Sequence, residues 1–366
     1  MRTVGVEEEL LLVSSETGEA LALAAPVLAA SPRGDDRTGR EVFEKELAKE
    51  QVEFATKPVS SMPDLADEIV RWRREAARRA GEAGASVAAL ATSPLPVRPS
   101  LHLGERYTWI AEQFGLTAQE QLTSGCHVHV AVESDEEGVA VLDRIRPWLP
   151  VLTALSANSP FWQGEDSGYA SYRSRVWDRW PSAGPVELFG SAEGYHRRVE
   201  DMVATGVLRD RGMVFFDARL SASYPTVEIR VADVCLEAST TVLVAALVRG
   251  LVETAARAWH AGEEPARHGL DLLHLASWRA ARSGLDGPLL DPLTMRESSA
   301  EKVLAALLAH VSDALADSGD LDDVRDGLAR LVVSGTGAWR QREILRREGG
   351  LEAVVRECVR VTAGAE

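Results

Sequence analysis

Alternating apolar and polar residues predict six β-strands in the first two thirds of the chain. Side chains of a strand point to opposite faces in turn, so a period of two marks a segment with one buried face. The pattern occurs near residues 3–13, 49–56, 86–92, 123–132, 214–222 and 225–234. These segments predict a sheet with one apolar face and one polar face.

Apolar residues at helical spacing predict helices between the strands. In the segment 62–83, Leu65, Ile69 and Trp72 share one face, as in a helix packed on a sheet. Further helices are predicted at about 105–121, 138–157, 193–208 and 238–261. From about residue 262 the chain reads as wholly helical. We therefore expect a sheet domain over 1–261 and a helical region over 262–366 that packs on it as one structural unit.

Three segments lack such periodicity and are predicted to be loops. Two of them, 31–40 and 92–100, are rich in Gly, Pro or charge. The third, 158–186, carries five aromatic residues before Trp180, together with arginines. Long irregular segments in compact proteins are often functional, which favours a loop that covers substrate. The alternative is a surface excursion held in place by its tryptophans.

The polar faces of the predicted strands carry acidic side chains. In the first strand Val6 and Leu10 share one face, while Glu7 and Glu9 share the other. Glu8 falls on the apolar face, where an unpaired charge is costly, so we expect it to have a partner or to lie at a rim. Two carboxylates therefore project together from this strand.

Three further segments follow the same scheme. The strand at 49–56 places Glu53 on its polar face, and the acidic segment before it offers Glu46. The strand at 123–132 places two histidines on one face, and the strand at 225–234 places a glutamate and an arginine together. These four residues are His127, His129, Glu228 and Arg230.

Each of these patterns has an ordinary explanation when it is taken singly. Paired glutamates are usually solvated, His-x-His can be structural, and Glu-x-Arg is most often a cross-strand ion pair. Together, however, they concentrate about four negative charges on one face, which is costly without cations. Carboxylates with an imidazole favour Mg²⁺ or Mn²⁺ over zinc. Two such ions beside an arginine suit phosphoryl transfer from ATP, without a Walker-type loop.

Composition and charge narrow the classes of function. The chain has 366 residues, with 40 Lys and Arg against 56 Asp and Glu, so its formal charge is −16. This acidic balance argues against nucleic acid as a partner. No export signal or membrane span is expected, and we predict a cytoplasmic protein without membrane partners. A homo-oligomer is a reasonable expectation, since most soluble oligomers are homomeric.

The three cysteines do not predict a disulfide framework or a zinc site. Cys126, Cys235 and Cys358 stand far apart, and no Cys-x-x-Cys pair is present. Cys126 shares the apolar face of its strand. We therefore expect a small core residue there rather than a nucleophile.

Six motifs in consistent order resemble the carboxylate–amine ligase family, the type 2 glutamate–cysteine ligase group, which is distantly similar to glutamine synthetase. The resemblance covers the chain from its start to about residue 260. The motifs are VGVEEEL at 4–10, KEQVEFATKP at 49–58, TSGCHVHVAV at 123–132, LSANSPF at 155–161, SGYASYRSRVW at 167–177 and VEIRVADV at 227–234.

The resemblance implies an α+β fold in which a curved, mainly antiparallel sheet forms a funnel with helices on its outer face. It also implies that ATP and Mg²⁺ or Mn²⁺ bind inside the funnel. Arg230 would contact phosphate, and His129 would lie near the transferred phosphoryl group or the substrate. The implied metal ligands are Glu7, Glu9, Glu46, Glu53, His127 and Glu228.

The implied reaction joins two small molecules, an acid and an amine, through an acyl phosphate. A substrate α-carboxylate would suit a bidentate guanidinium, and Arg173 and Arg175 are the candidates. Tyr172 and Trp177 would form walls beside them. Glutamate and cysteine are the expected substrates, and ligation of another amine in secondary metabolism is the near alternative. A metal-dependent hydrolase and a non-catalytic metal- or nucleotide-binding protein are the distant alternatives.

Overall fold

A computed structural model describes residues 1–30 and 42–364, and the loop predicted at 31–40 lies outside this range. Within the described residues, the main sheet has seven strands, which are β1 (Val4–Val13), β2 (Phe43–Lys45), β3 (Gln51–Ala55), β4 (Ser86–Ala88), β5 (Gly125–Ala131), β8 (Ala218–Leu220) and β9 (Thr226–Asp233). They have the order β2-β3-β1-β5-β9-β8, with β4 also paired to β1, and the strand pairs are antiparallel. The hairpins β6 (Phe161–Trp162)–β7 (Glu165–Asp166) and β10 (Leu289–Leu290)–β11 (Glu297–Ser298) are separate.

The helices follow the predicted segments with local breaks. Gly115 has a φ of +53° and divides the predicted helix at 105–121 into two. A 3₁₀ turn containing Pro147 divides the helix predicted at 138–157. The helices are α1 (Ala24–Ala29), α2 (Met62–Glu82), α3 (Glu105–Phe114), α4 (Leu116–Gln119), α5 (Asp135–Ile145), α6 (Leu149–Ser156), α7 (Tyr172–Trp177), α8 (Ala192–Ala204), α9 (Ala238–His260), α10 (Leu270–Ser283), α11 (Ala300–Ser318), α12 (Leu321–Ser334), α13 (Gly337–Glu348) and α14 (Leu351–Thr362).

The apolar face of the sheet is covered by helices, which confirms the predicted α+β class. Val6, Val128 and Ile229, from three neighbouring strands, are buried in one cluster with residues of α2, α5, α6 and α9. Helix α9 is long and apolar enough to cross a membrane by length and composition. It packs against α2, α5, α11 and α12, and most of its apolar stretch is buried, as in the core helix of a folded domain.

The region after residue 262 is helical apart from the short β10–β11 hairpin. It supports the long segment predicted at 158–186. Gln341 of α13 donates hydrogen bonds to the backbone and side-chain oxygens of Asn158, at 2.9 and 2.7 Å. Asn158 in turn donates to backbone oxygens of Ala89 and Val234. The C-terminal helices therefore fix the start of this segment against the ends of β4 and β9.

The expected partner of Glu8 is Arg73 of α2. Both side chains are buried, and two guanidinium nitrogens of Arg73 lie 2.8 Å from the two carboxylate oxygens of Glu8. Arg73 also donates to the backbone oxygens of Cys235 and Leu236, and the Thr241 hydroxyl donates to Glu8 at 2.6 Å. This network fixes α2 and α9 to the outer face of β1.

We expect Arg73→Ala to lower the free energy of unfolding by about 3–5 kcal/mol, because it leaves the Glu8 carboxylate buried without its cation. Arg74→Ala, on the exposed side of the same helix, is the matched control and should change stability by less than about 0.5 kcal/mol. Urea unfolding monitored by circular dichroism measures both. Equal stability of the two variants would contradict the structural importance of the pair.

Candidate active site

The polar face of the sheet lines a cavity of about 660 Å³. This volume is within the range of small-molecule and cofactor sites. Its walls come from β1, β3, β5, β8 and β9, together with the start of α3 and the end of the 158–186 segment. The cavity is lined by every predicted metal ligand, the two predicted catalytic residues and Trp177, which are Glu7, Glu9, Glu46, Glu53, His127, His129, Trp177, Glu228 and Arg230.

One group of candidate metal ligands spans three adjacent strands. Glu7 of β1, His129 of β5 and Glu228 of β9 each offer a ligand atom, and these atoms all lie within 4.8 Å of one another. The Thr226 hydroxyl lies 3.0 Å from Nδ1 of His129, and Nε2 faces Glu7 at 3.4 Å. A contact at one ring nitrogen that orients the other is typical of metal-binding histidines.

A second group consists of carboxylates alone. Glu9 of β1, Glu53 of β3 and Glu46, in the segment after β2, also offer atoms within 4.8 Å of one another. Glu9 and Glu53 are directly paired in the β1–β3 register, so both project into the cavity at the same level. Glu9 also accepts a hydrogen bond of 2.6 Å from the backbone of Gly125.

The two groups differ in their electrostatic balance. Burial and the charge of Glu46 raise the pKa of Glu9 to about 8, and burial and Glu46 raise the pKa of Glu53 well above its usual value. In the other group, burial opposes ionisation of Glu7, yet its contacts with His127 and His129 lower its pKa overall. The all-carboxylate group therefore has the greater need of a cation.

Both donor sets fit hard divalent cations. Three carboxylates, or two carboxylates and one imidazole, are the oxygen-rich ligands that Mg²⁺ and Mn²⁺ accept. The pKa values of Glu9 and Glu53 are raised by burial and by repulsion from Glu46, and a bound cation would offset both effects. The residues present thus match the ions expected from the sequence.

The two histidines of β5 have different surroundings. His127 pairs with Glu7 in the β1–β5 register, and its Nδ1 lies 3.5 Å from that carboxylate. Its buried Nε2 has no hydrogen-bond partner within the described chain. Burial and Arg230 lower the pKa of His127 to about 4, so its ring is neutral near pH 7. His129, rather than His127, belongs to the cluster with Glu7 and Glu228.

Two arginines contact Glu228. Arg230, two residues along β9, forms an ion pair with it, and Arg219 of β8 contacts both of its oxygens at 2.8 and 3.1 Å. Arg219 and Glu228 are directly opposite in the β8–β9 register. Burial opposes ionisation of Glu228, but Arg230 and Arg219 outweigh it and lower its pKa. The carboxylate is therefore ionised and held in position.

A bulge changes the expected faces of β9. Between the pairs Cys126–Ala232 and Val128–Ile229, β9 contains one residue more than β5. The simple alternation predicts that Val231 packs in the core. It does pack against the core cluster, but it is only half-buried beside a small pocket, and Ala232 is the fully buried residue. The bulge lies at Arg230, next to the metal-ligand candidates.

Arg173 of α7 lies against the start of β5 and the end of β9, beside the main cavity. Its side chain is buried, and its Nη1 lies 4.0 Å from Asp233. A Cβ atom on Gly125 would lie 2.3 Å from Nη2 of Arg173, so glycine is required for this approach. Asp233 accepts hydrogen bonds from the Ser159 and Ser171 hydroxyls, at 2.7 and 2.8 Å. This network fixes α7 to the end of β9.

The other predicted substrate-binding residues lie in different places. Trp177 lines the main cavity, and its ring centroid lies 5.7 Å from the Arg230 guanidinium. Arg175 lies in the adjacent small pocket, 2.5 Å from Asp178. Tyr172 packs against Trp162 and Tyr169 and does not line the main cavity. The structure thus does not bring Tyr172 to the site.

Two residues near the motifs do not contribute to the main cavity. The carboxylate of Glu50 accepts hydrogen bonds of 3.1 and 3.0 Å from the backbone of Ser100, so it supports the predicted loop at 92–100. Cys126 is fully buried in the core, as its strand position predicts. Burial raises the pKa of its thiol, which makes it a poor nucleophile.

The strand patterns did not identify two polar residues as site candidates, one in β8 and one directly before it. Arg219 lines the main cavity, and Asp217 lines the small pocket beside it. The sequence FDARL at 216–220 contained the signal, since Asp217 and Arg219 alternate with apolar residues in a segment that was itself predicted as a strand. The same analysis of faces that identified Glu228 would have found them.

Another cavity, of about 590 Å³, lies near the start of β1 and helix α9. Its prominent charges already pair with each other. Arg2 binds Glu137 and Glu253, and Arg257 binds Glu253 and Asp317. The concentrated acidic charge is at the polar face of the sheet, which is therefore the candidate site.

Comparison with known proteins decides the family. The profile of glutamate–cysteine ligase family 2 matches residues 3–357. The chain belongs to this family. A predicted glutamate–cysteine ligase 2-1 of Streptomyces avermitilis is 66% identical over 364 residues, which cover 100% of both chains. A predicted glutamate–cysteine ligase 2 of Streptomyces coelicolor is 64% identical over 365 residues, again 100% of both.

Solved structures share the fold of this family 2 chain at low identity. A glutamate–cysteine ligase from Francisella tularensis in complex with AMP has a TM-score of 0.73 and 14% identity, covering 99% of this chain and 88% of that one. The Pup ligase PafA, in its complex with Pup, has a TM-score of 0.54 and 12% identity, covering 97% and 67%. The expected glutamine-synthetase-like fold is thereby confirmed.

Proposed function

We propose that this chain is an ATP-dependent carboxylate–amine ligase that joins the γ-carboxyl group of glutamate to the amine of cysteine. The main support is that one cavity contains both groups of candidate metal ligands together with Arg230. Phosphoryl transfer needs this combination of cations and a guanidinium. Membership of glutamate–cysteine ligase family 2 and the names of the relatives support the choice of substrates.

Glu7, His129 and Glu228 would hold one divalent cation, Mg²⁺ or Mn²⁺, and Glu9, Glu46 and Glu53 would hold another. When bound, the cations screen the repulsion between the substrate carboxylate and the triphosphate. Relative to the ligand set expected from the sequence, His129 replaces His127. His127, neutral beside Glu7 and Arg230, would then lie near the reacting groups.

The reaction would proceed in two steps. The γ-carboxylate of glutamate attacks the γ-phosphorus of ATP, and ADP leaves as the acyl phosphate forms. The amine then attacks the acyl carbon, loses a proton and releases phosphate. Arg230, held by Glu228 and buried beside Trp177, is positioned to stabilise the charge on the transferred phosphoryl group. Arg219 keeps Glu228 ionised and in place.

The arginines of α7 would bind the α-carboxylate of glutamate. Arg175 is half-buried, and its Nε has no hydrogen-bond partner within the described residues. We expect Arg175→Ala to raise the KM for glutamate about 10- to 100-fold and to leave the KM for ATP nearly unchanged, because a charge-assisted hydrogen bond to one substrate is lost. Initial-rate kinetics with each substrate varied in turn measure both values. Equal increases in the two KM values would contradict this role.

The test of the proposed function is ADP release from Mg-ATP in the presence of glutamate, with cysteine or a panel of other amines, and product identification by mass spectrometry. A cysteine-dependent product of acid plus amine minus water is expected. It should be lost in Glu53→Gln and Glu228→Gln and kept in Glu301→Gln, which changes an exposed residue of α11. A product with another amine alone would replace cysteine as the substrate.

Other outcomes of the same experiment would overturn the ligase assignment. Phosphate release from an ester without ATP would favour a metal-dependent hydrolase. Nucleotide binding without turnover for any acid and amine would favour a binding protein with the ligase fold.

A further inference from the structure

A small pocket adjoins the main cavity behind Trp177 and Arg230, which line both spaces. Its free volume is about 20 Å³, enough for one water-sized group. Its other charged lining residues belong to α7, to the residue that follows α7 and to the residue that precedes β8. They are Arg173, Arg175, Asp178 and Asp217. The pocket therefore combines cationic and anionic groups beside the proposed reaction centre.

Asp217 directly precedes β8 and lies opposite Arg230 of β9. The backbone nitrogen of Arg230 donates to the backbone oxygen of Asp217 at 2.9 Å, which extends the β8–β9 pairing by one residue. Asp217 and Arg219 are two residues apart and so share a face. Arg219 contacts Glu228 of a candidate metal group. Asp217 thus continues the face that carries Arg219, one position further along the strand pair, and it lines the small pocket rather than the main cavity.

The polar groups of the pocket are incompletely satisfied. Within the described residues, the Asp217 carboxylate takes part in no hydrogen bond or close ion pair. Arg173 and Arg230 are both more than nine-tenths buried, and the Nε atom of each lacks a hydrogen-bond partner there. Burial and the charge of Asp178 raise the pKa of Asp217 to about 7. An added cationic donor of small size would satisfy the Asp217 carboxylate.

We propose that this pocket takes the α-ammonium group of the acid substrate on Asp217, and that Arg175, in its wall, binds the α-carboxylate. This inference rests on the proposed function and extends it, since it assigns the group that distinguishes glutamate from a simple dicarboxylic acid. An ammonium group has the size of a water molecule and donates three hydrogen bonds. The substrate's side-chain carboxyl group then extends past Arg230 toward the metal-ligand candidates.

The assignment makes Asp217 a determinant of specificity. Glutarate has the same two carboxyl groups as glutamate and lacks only the ammonium group. A site built to pair with a charged substrate group rejects the analogue without it, because the carboxylate is then left unpaired. Wild-type protein should accordingly bind glutamate about 10- to 100-fold more tightly than glutarate.

The test measures binding rather than turnover. Glutamate, glutarate and N-acetylglutamate are titrated calorimetrically into the full chain with Mg²⁺ and a non-hydrolysable ATP analogue. The variants are Asp217→Asn and, as a matched control, Asp313→Asn on the exposed side of α11. We expect the preference for glutamate over glutarate to fall to within about 3-fold in Asp217→Asn, with glutarate binding kept or strengthened, and to be unchanged in Asp313→Asn.

The possible results separate this inference from the proposed function. Equal binding of the three acids by wild-type protein, no binding of any of them, or a preference that survives in Asp217→Asn would overturn the role of Asp217. If that variant does not fold, weak binding of N-acetylglutamate and glutarate to wild type supports the role, and tight binding of either one overturns it. An Asp217-dependent preference without amide formation would retain the pocket and overturn the ligase assignment.

Discussion

Replacing Arg230 by alanine is expected to lower kcat about 10³- to 10⁵-fold, the range seen when a guanidinium that stabilises a transferring phosphoryl group is lost. The side chain is buried beside Trp177 and Phe215, which limits water at its charged head group. A hydrogen bond or ion pair is worth more in such surroundings than in bulk solvent. Steady-state ADP production with saturating Mg-ATP, glutamate and cysteine measures the effect.

Arg219→Ala is the informative comparison, because Arg219 also contacts Glu228. If Arg230 acted only by orienting Glu228, the two variants would have similar defects, and both would need more Mg²⁺ for half-maximal activity. We expect instead that Arg230→Ala lowers kcat with little change in the Mg²⁺ requirement. Arg219→Ala should mainly raise the Mg²⁺ requirement. Matching defects in the two variants would contradict a direct contact of Arg230 with phosphate.

Strand alternation was sufficient to predict which acidic residues meet. Glu7 and Glu9 share the face opposite Val6 and Leu10 because the side-chain period of a strand is two. The same rule placed Glu53 in the cavity and Glu8 on the apolar face, where it needed the partner that Arg73 provides. Antiparallel pairing of β1 with β3 and β5 then brings the separate motifs together.

Features that depend on tertiary contacts could not be predicted in this way. The bulge in β9 shifts the faces after Arg230, and a local pattern of apolar residues does not report an unpaired extra residue. The different roles of the two histidines follow from the β5–β9 register, which places His129 opposite Glu228. The direction of Tyr172 depends on the short helix α7, inside a segment predicted only as a loop.

The long aromatic segment at 158–186 illustrates both what the sequence predicts and what depends on tertiary contacts. Trp177 lines the main cavity, and Arg173 and Arg175 line the small pocket beside it. The conformation of the segment is fixed by distant residues, since Asp233 of β9 binds its serines and Gln341 of α13 binds its first residue. Contacts separated by more than 60 residues in sequence leave no local periodic signal.

Glu53→Gln is expected to have the other large effect, raising the Mg²⁺ concentration for half-maximal activity at least 10- to 100-fold. The substitution keeps the shape of the side chain but removes one anionic donor from the group with Glu9 and Glu46. Without metal the same change should stabilise the fold, because it removes a carboxyl group that burial and Glu46 make costly to ionise. Thermal unfolding with EDTA and with Mg²⁺ tests this. A variant that is less stable than wild type in EDTA would contradict this cost.

The pH dependence of this stability difference has a definite sign. Burial and Glu46 raise the pKa of Glu53 in the folded protein, so between about pH 4.5 and that raised value the folded state holds a proton that the unfolded state has lost. Wild-type stability in EDTA should therefore fall relative to Glu53→Gln as pH rises above 4.5, by at most about 1.4 kcal/mol per pH unit. Bound Mg²⁺ favours the ionised carboxylate and should remove this slope from wild type, because it releases the proton. A difference that is independent of pH in EDTA would show that Glu53 is already ionised without metal.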